Sequence, residues 1–384
     1  MVRPMTRRFV GLLRIVIAAI AVSATPSLAE QHMLVYIGTY TGPQSRGIHR
    51  CELNTTTGSL TPLDVTEGDT GGVVNPSFLA LHPTQPLLFA VSEVSKFGDA
   101  PAGGVAAFQI DASGRLKPLN TQNSGGTGPC FLSVDPTGTH VLVANYGGGS
   151  VAALPIDPTG RLQPARTFIQ FHGDAKPHAH AISADPTGRF AIATDLGLDQ
   201  IRVFAYNPAS GELVANDPPF VPLPAGTGPR HFVFHPNGKW CYVINELNST
   251  IDAFAWNAQA GTLTPFDHLA TIPPDFHERN DTAHIAVHPS GRWLYGSNRG
   301  HDSIAVFRID PDTGELTAIR YEPARGRTPR HFNIDPTGTF LLAANQKSDN
   351  VQVFRIDAPT GLLTPVGQPV PIPSPVCVIF RERR

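Results

Sequence analysis

Cysteine is scarce in this chain of 384 residues, and charge of one sign is never concentrated in one stretch. The four cysteines show no CxxC or other metal-ligand spacing, so the sequence indicates neither a zinc site nor a dense disulfide framework. The net charge is −2, from 29 basic and 31 acidic residues, and suggests neither nucleic acid nor a membrane surface as a partner. We expect a small-molecule partner, no metal and no cofactor; the oligomeric state stays open. Each cysteine falls in or beside a predicted strand and is expected to be a buried apolar side chain: Cys51, Cys130, Cys241 and Cys377.

Motifs for nucleophilic catalysis and for zinc hydrolysis are missing as well. The chain has no GxSxG, and "HERND", which begins at His277, has no second histidine three residues after Glu278. Helical periodicity is also absent. Nucleophilic triads therefore have no support in the sequence, and the fold is expected to be built from strands.

The first 29 residues have the pattern of a secretory leader. Basic residues precede an apolar stretch of about 14 residues from Phe9 to Val22, and a small-residue cleavage pattern ends at Ala29. This stretch is shorter than the roughly 20 residues that span a bilayer. We predict a signal peptide at residues 1–29 and a mature domain at residues 30–384, periplasmic or secreted, with no stable membrane anchor.

Glycine and proline are abundant and recur at regular intervals between apolar runs. Short strands surround a repeated turn, as in "PRHFVFHP" before it and "WCYVINEL", "TIDAFAWN" and "GTLTPF" after it. Four short strands per repeat are typical of a β-propeller blade. The alternation of histidine with aspartate in the turn predicts structural capping. The turn, His/Asp-Pro-x-Gly, recurs every 47 to 53 residues, at His82 (with Gln85 in the glycine place), Asp135, Asp185, His235, His288 and Asp335.

The two chain ends supply a seventh blade. "HMLVYIGTY", "GIHRCELN" and "GSLTPL" match second, third and fourth strands with no first strand before them, and "PSPVCVIF" near the C-terminus matches a first strand. The sequence therefore predicts an all-β, seven-bladed propeller of four-stranded antiparallel blades, whose closing blade is shared by both termini. Such pairing removes an open sheet edge.

Polar residues concentrate where first strands begin and second strands end. In an antiparallel blade these two points lie at the same end of the sheet, so they ring one mouth of the central channel. A scaffold strand does not need ionisable residues there, and we predict a ligand site. The expected substrate-binding residues are His178, Asn145, Asn298, Arg330 and His284.

Four residues of this mouth are predicted to be catalytic: His180, Arg230, Glu246 and Arg299. An arginine fork suits a carboxylate, a phosphate or a developing oxyanion. Glu246 beside arginines is expected to stay ionised and to accept a proton from water, and His180 is expected to titrate near neutrality. The chemistry indicated is attack on, or formation of, an ester within a small acidic ring.

Two connections near the mouth have alternative interpretations. "YGGGS", Tyr146 to Ser150, is interpreted as a glycine hairpin rather than a phosphate-binding nest. The long connection from Ile272 to His284 is interpreted as a lid or specificity loop, with a plain insertion as the alternative.

The chain from about Tyr36 to Phe380 resembles the lactonase family of seven-bladed propellers, which includes 6-phosphogluconolactonases and carboxy-muconate lactonizing enzymes. The marks are "YIGTYT", "PHAHAISADPTGRFAIATDLGLDQIRVF", "GPRHFVFHPNGKWCYVINELNST", "SNRGHDSIAVF" and "GRTPRHFNIDPTG". The resemblance implies active-site roles for the histidine of "PHAH", the arginine of "GPRH", the glutamate of "NELN" and the arginine of "SNRG", which are His180, Arg230, Glu246 and Arg299.

The resemblance implies a lactonase similar to 6-phosphogluconolactonase, and our first hypothesis is that it acts without a metal. Because a phosphorylated sugar lactone is a cytoplasmic metabolite, an exported member is expected to favour an unphosphorylated lactone. Three alternatives stay open: a lactonizing cycloisomerase, a non-catalytic binding propeller, and a calcium-assisted lactonase with Glu93, Asn145 and Asp195 as ligands. Substrate and direction of reaction are not determined by the sequence.

Overall fold

The structure is a computed structural model that describes residues 1–2, 32–67 and 73–382. Apart from its first two residues, the predicted signal peptide lies outside the described residues. In the part of the chain that is described, no helix is long and apolar enough to cross a membrane. Apart from a 3-10 turn at Gln346–Ser348, the regular elements of these residues are strands.

The described strands follow the repeat of four. Along the chain they are β1 (His32–Thr39), β2 (Gly47–Asn54), β3 (Leu60–Glu67); β4 (Leu79–Leu81), β5 (Leu87–Ser92), β6 (Gly104–Ile110), β7 (Leu116–Asn123); β8 (Pro129–Val134), β9 (His140–Asn145), β10 (Ser150–Pro155), β11 (Thr167–Gln170); β12 (Ala179–Ala184), β13 (Phe190–Asp195), β14 (Gln200–Asn207) and β15 (Glu212–Pro222). They continue as β16 (Pro229–Phe234), β17 (Trp240–Asn245), β18 (Thr250–Asn257), β19 (Thr262–Ala270); β20 (Asp281–Val287), β21 (Trp293–Arg299), β22 (Ser303–Ile309), β23 (Leu316–Pro323); β24 (Pro329–Ile334), β25 (Phe340–Asn345), β26 (Asn350–Ile356), β27 (Leu363–Pro371) and β28 (Pro375–Glu382).

These strands form seven four-stranded antiparallel sheets, which confirms the predicted propeller. Blade 1 has the order β28-β1-β2-β3, and blades 2 to 7 take four consecutive strands each, from β4 to β27. The first strand of each blade contacts the first strands of neighbouring blades, and β28 contacts both β24 and β4, which closes the ring.

Packing between blades explains why the middle strands are apolar on both faces. All six residues of β5, β9, β13, β17 and β25 are buried. One core cluster joins Tyr242 of blade 5 to Leu294 and Phe307 of blade 6, and another joins Val35 of blade 1 to Phe340 of blade 7. Each sheet is thus covered on both faces, and its central strands lack the alternation of a half-exposed strand. All four cysteines are buried and free, as predicted.

The repeated turns are capped as the sequence predicts, and the histidine version also links blades. Asp135 Oδ1 accepts the backbone N–H groups of Thr139 and His140, both at 2.8 Å. His82 Nε2 instead lies 2.9 Å from the carbonyl oxygen of Gly138 in the next blade's turn, and His235 and His288 make the same contact with later turns. Gly138 has φ +71° and leaves no room for a Cβ beside His82.

The closing blade generates a prediction about stability. β28 pairs with β1 from Met33↔Glu382 to Thr39↔Pro375 and lines the channel. Deleting residues 375–384 should expose the edge of β1 and open the ring, and the product should aggregate or lose cooperative unfolding. The measurement is size-exclusion chromatography with thermal denaturation. Truncation after Glu382, which keeps all of β28, is the control; a soluble and cooperative 375–384 deletion would refute closure by this strand.

Candidate active site

Several mouth residues of the first strands share one backbone feature, a β-bulge. In blade 5, Pro229 pairs with Asn245 and His231 with Ile244, so Arg230 is an extra residue in its strand. A bulge bends the strand and redirects the side chain of the extra residue. The equivalent extra residues of blades 3, 4 and 7 are Cys130, His180 and Arg330.

Two arginines converge on one oxygen of Glu246, which directly follows β17. Arg230 Nε lies 2.7 Å and Arg299 Nη2 lies 2.8 Å from Glu246 Oε2, and His180 Nε2 is 4.0 Å from the same atom. We call these four residues the Glu246 cluster. The structure therefore brings together all four residues predicted to be catalytic, although their roles stay a prediction.

Backbone carbonyl groups of blade 6 hold the two arginines in place. Arg230 Nη1 donates to the carbonyl of Ala283 at 2.6 Å, and Arg299 Nη2 donates to that of Thr282 at 2.7 Å. Arg230 is only 2% exposed, whereas the Arg299 side chain is 13% exposed. Arg299 Nε is buried with no hydrogen-bond partner, so this guanidinium retains an unused donor.

Electrostatics keep Glu246 ionised. Burial alone would raise the pKa of this carboxyl group, but the charges of Arg230 and Arg299 and the hydrogen bond from Arg299 together lower it below its usual value. The result agrees with the expectation for a carboxylate beside arginines. The cluster thus presents a carboxylate and two fixed positive groups at one point.

His180 does not titrate near neutrality, and that expectation was wrong. It is 4% exposed, and burial together with the charge of Arg230 lowers its pKa well below 6.5. Its Nδ1 lies 3.7 Å from the thiol sulfur of Cys130, whose own pKa is raised by burial. His180 is therefore a neutral imidazole between a thiol and the carboxylate of Glu246.

Neutral histidines also fill the channel beneath the cluster. The rings of His231 and His284 have centroids 5.2 Å apart with their Nδ1 atoms at 2.9 Å, and those of His284 and His331 stack at 3.9 Å. Burial is the main cause that lowers the pKa of each, to about 3 for His331. His284, predicted to bind substrate, belongs to this packed row.

A second group of polar side chains surrounds Arg330. Its Nη2 donates to the hydroxyl oxygen of Tyr40 at 2.9 Å, and Tyr40 in turn donates to Glu93 Oε2 at 2.9 Å. The hydroxyl of Ser77 also donates to Glu93. Arg330 and Glu93 border a small enclosed space together with Arg230 of the Glu246 cluster.

The other expected substrate contacts have structural partners. Asn145 donates to the carbonyl of Ser124 and to Ser150, and Asn298 donates to the carbonyl of Thr271 at 2.7 Å. Both asparagines are fully buried, so we do not retain them as substrate contacts. His178 lies nearer the cluster: its ring stacks on Tyr146, and the Tyr146 ring also contacts His180.

Each ligand of the calcium alternative has hydrogen-bond partners of its own, although Asn145 Oδ1 and Asp195 Oδ2 have none. Asp195 Oδ1 accepts three backbone N–H groups, from His178, Gly197 and Leu198, at 2.8 to 3.1 Å. Glu93 is engaged by Tyr40 and Ser77. Among the residues described, no group of three or more His, Cys, Asp or Glu side chains is arranged to hold a metal ion.

The structure defines the two connections near the mouth for which the sequence left alternative interpretations. "YGGGS" is the tight hairpin between β9 and β10, closed by a hydrogen bond from Gly149 N–H to the carbonyl of Asn145. The long connection runs from the end of β19 to Asp281, the first residue of β20, and Phe276 within it contacts the ring of His301.

Sequence reasoning missed the basic residues Arg327 and Lys347. Together with Arg299 and Arg330 they line an open cleft beside the Glu246 cluster. Their positions carry a weak signal, because Arg327 lies just before a first strand and Lys347 just after a second strand. Both therefore fall at the mouth end of blade 7.

A ring of seven four-stranded blades with an ionised polar cluster at its mouth defines a propeller with a small-molecule site. The family model described as "Lactonase, 7-bladed beta-propeller" matches residues 34–380. The chain belongs to this family and is a lactonase, an enzyme that hydrolyses a cyclic ester.

Relatives and solved structures agree with this membership. The chain is 36% identical over 305 residues to a 6-phosphogluconolactonase of Bacillus subtilis, covering 77% of this chain and 83% of that protein. It is 33% identical over 299 residues to a 6-phosphogluconolactonase of Serratia proteamaculans, covering 78% and 84%. The solved structure of a periplasmic gluconolactonase of Pseudomonas aeruginosa superposes with a TM-score of 0.85 and 31% identity, covering 92% of this chain and all of that one.

The buried histidines generate a prediction about pH. As pH falls below 6.5 the unfolded chain binds protons that the native His180, His231, His284 and His331 do not, so stability should fall from pH 6.5 downward. Each such proton contributes a slope of about 1.4 kcal/mol per pH unit. Urea denaturation between pH 8 and pH 5 measures the slope.

His331→Phe is the informative variant, because Phe131 occupies the equivalent place in blade 3. It should reduce the slope by about one proton. His277→Gln, which changes an exposed histidine in the connection before β20, is the control and should leave the slope nearly unchanged. A wild-type stability that is flat across this range would contradict the assignment of neutral buried imidazoles.

Proposed function

We propose that the protein hydrolyses a sugar lactone of the gluconolactone type at the mouth of its channel. The observation that carries the proposal is the convergence of Arg230 and Arg299 on one oxygen of Glu246, with His180 at 4.0 Å. The arrangement supplies a proton acceptor and fixed positive groups, the two requirements of water attack on an ester carbonyl. The names of the relatives support a sugar lactone as the substrate.

In this mechanism a water oxygen attacks the lactone carbonyl carbon and passes a proton to Glu246. The carbonyl oxygen becomes an oxyanion, which the positive charges of Arg299 and Arg230 stabilise. Because the negative charge of the oxyanion offsets the effect of these positive charges on the carboxylate, the pKa of Glu246 rises during the step, which makes it a better base. The ring C–O bond then breaks, and the proton returns to the departing ring oxygen.

His180 is assigned to the departing oxygen. Its imidazole is neutral, and Nε2 lies on the side of Glu246, 4.0 Å from Oε2. We assign to it the tautomer that carries its proton on Nε2. We propose that this N–H hydrogen bonds to the ring oxygen as it leaves.

We also propose that the enzyme works outside the cytoplasm, as a periplasmic or secreted protein. The support is the leader pattern that ends at Ala29 and the periplasmic location in the name of the Pseudomonas aeruginosa relative. Residues 1–29 are proposed as the cleaved segment, and residues 30–384 as the mature domain.

Two substitutions in the cluster test the proposal. Glu246→Gln removes the proton acceptor while keeping its shape, so kcat should fall about 10² to 10³-fold with little change in KM. Arg230→Lys keeps the charge but loses the planar fork, and kcat/KM should fall by a similar factor. Steady-state hydrolysis of glucono-δ-lactone and of 6-phosphogluconolactone is the measurement.

Arg50→Lys is the matched control. Arg50 is a buried arginine of blade 1 that makes two hydrogen bonds to Asp64, at 2.7 and 2.8 Å. Its substitution should lower the melting temperature but leave kcat/KM near the wild-type value. If both cluster variants turned over a lactone at the wild-type rate, the proposed site would be wrong.

A further inference from the structure

A cleft of about 580 Å³ lies beside the Glu246 cluster and is lined by residues of blades 6 and 7. We call it the basic cleft, because its lining contains five cations and two carboxylates. The carboxylates belong to Asp281 and Asp302. The cations are Arg279, Arg299, Arg327, Arg330 and Lys347.

The two carboxylates of the cleft are engaged locally. Asp302 Oδ1 accepts the backbone N–H of Thr328 at 2.7 Å, and Asp281 Oδ2 lies 3.2 Å from Arg279 Nη2. Arg327 and Lys347 have no carboxylate partner among the described residues. Arg327 Nη2 donates a hydrogen bond to the backbone carbonyl of Lys347 at 3.3 Å, which does not neutralise its charge. The cleft therefore keeps an excess of positive charge that the protein does not neutralise.

The end of the connection before β20 forms one wall of the basic cleft, and hydrogen bonds hold it in position. Asn280, the last residue of the long connection, donates to Ser249 and to Asn298 and accepts the N–H of His301. Gly300 lies so close to Arg279 that a Cβ there would be 2.2 Å from the Arg279 carbonyl oxygen. This end of the connection is thus held in place where it borders the cleft.

We propose that the basic cleft binds an anionic substituent of the lactone, either a phosphate monoester or a carboxylate. The inference rests on the proposed function, because Arg299 belongs both to the Glu246 cluster and to the cleft. When the carbonyl oxygen of a lactone contacts Arg299, the substituent at the opposite end of its ring lies toward Arg327 and Lys347, which line the same cleft. Clustered cations suit both anions, and arginine binds either one with two parallel hydrogen bonds.

The test compares substrates that differ in that substituent. We use 6-phosphogluconolactone, a glucarolactone that carries a carboxylate, and neutral glucono-δ-lactone with the wild type and with the double variant Arg327→Gln/Lys347→Gln. The ratio of kcat/KM for an anionic lactone to that for the neutral one should fall about tenfold or more in the variant, mainly through KM. If the ratio falls for only one of the two anionic lactones, that lactone identifies the anion that the cleft binds.

Arg320→Gln is the matched control, because Arg320 is an arginine of β23 whose side chain is 61% exposed and which is paired with Glu322. It removes one positive charge from blade 6, outside the lining of the cleft, and should leave the ratio unchanged. Raising the ionic strength should weaken the preference of the wild type for anionic lactones, because exposed charges are screened. An unchanged ratio in the double variant with both anionic substrates would overturn the proposal.

A binding measurement separates this inference from the proposed function. Calorimetry with 6-phosphogluconate and with glucarate reports on the cleft without any turnover. If the wild type hydrolysed none of the three lactones, the proposed function would fail. The proposal that the basic cleft binds an anion would then hold only if the wild type bound one of these anions at least tenfold more tightly than the double variant. Equal affinities would overturn that proposal.

Discussion

Pairing between β28 and β1 is the contact on which the rest of the molecule depends. A propeller blade alone has two exposed edges and two apolar faces, so it is stable only between neighbours. Closure of the ring supplies these neighbours and fixes the angle between successive blades. That angle brings His180 of blade 4 and Arg299 of blade 6 to Glu246 of blade 5, although 119 residues separate the first two in the chain.

Local backbone irregularity then gives several blades a position for chemistry. The bulge at the start of a first strand holds Cys130, His180, Arg230 or Arg330 out of the regular ladder and at the mouth. Because the same bulge recurs in several blades, the scaffold offers a ring of equivalent sites whose side chains vary independently. Function in this chain is therefore a matter of which residues occupy a repeated position.

Charge in the mouth is costly to bury, and its arrangement reflects that cost. Arg230 is almost fully enclosed, and removing a charged group from water costs several kcal/mol unless partners replace the water. Glu246 and the Ala283 carbonyl are those partners. The histidines resolve the same problem by staying neutral. The site is thus rigid before substrate arrives, which is what stabilisation of a developing charge requires.

The fold and the central cluster were accessible from the sequence because they follow from periodicity. The regular spacing of turns such as those at Asp185 and His235 predicted where each blade begins and ends. The position of each residue within its blade then predicted that four of them lie at one mouth: His180, Arg230, Glu246 and Arg299. Properties that depend on packing, such as a pKa or the direction of a side chain, could not be predicted from the sequence. The lowered pKa of His180 comes from burial that only the assembled ring creates, and Asn145 and Asn298 lie at mouth positions but turn into the blade. Arg327 and Lys347 were missed because they lie just outside the strands, where the repeat gives only a weak signal.

The central claim is that the lactone carbonyl binds at the Glu246 cluster. A crystal structure with the lactam analogue of gluconolactone, which binds but resists hydrolysis, tests it most directly. The claim predicts the analogue's carbonyl oxygen within about 3 Å of a guanidinium nitrogen of Arg299 or Arg230. An analogue bound elsewhere, such as in the cavity between residues 81–86 and Phe380, with the cluster unchanged, would contradict it.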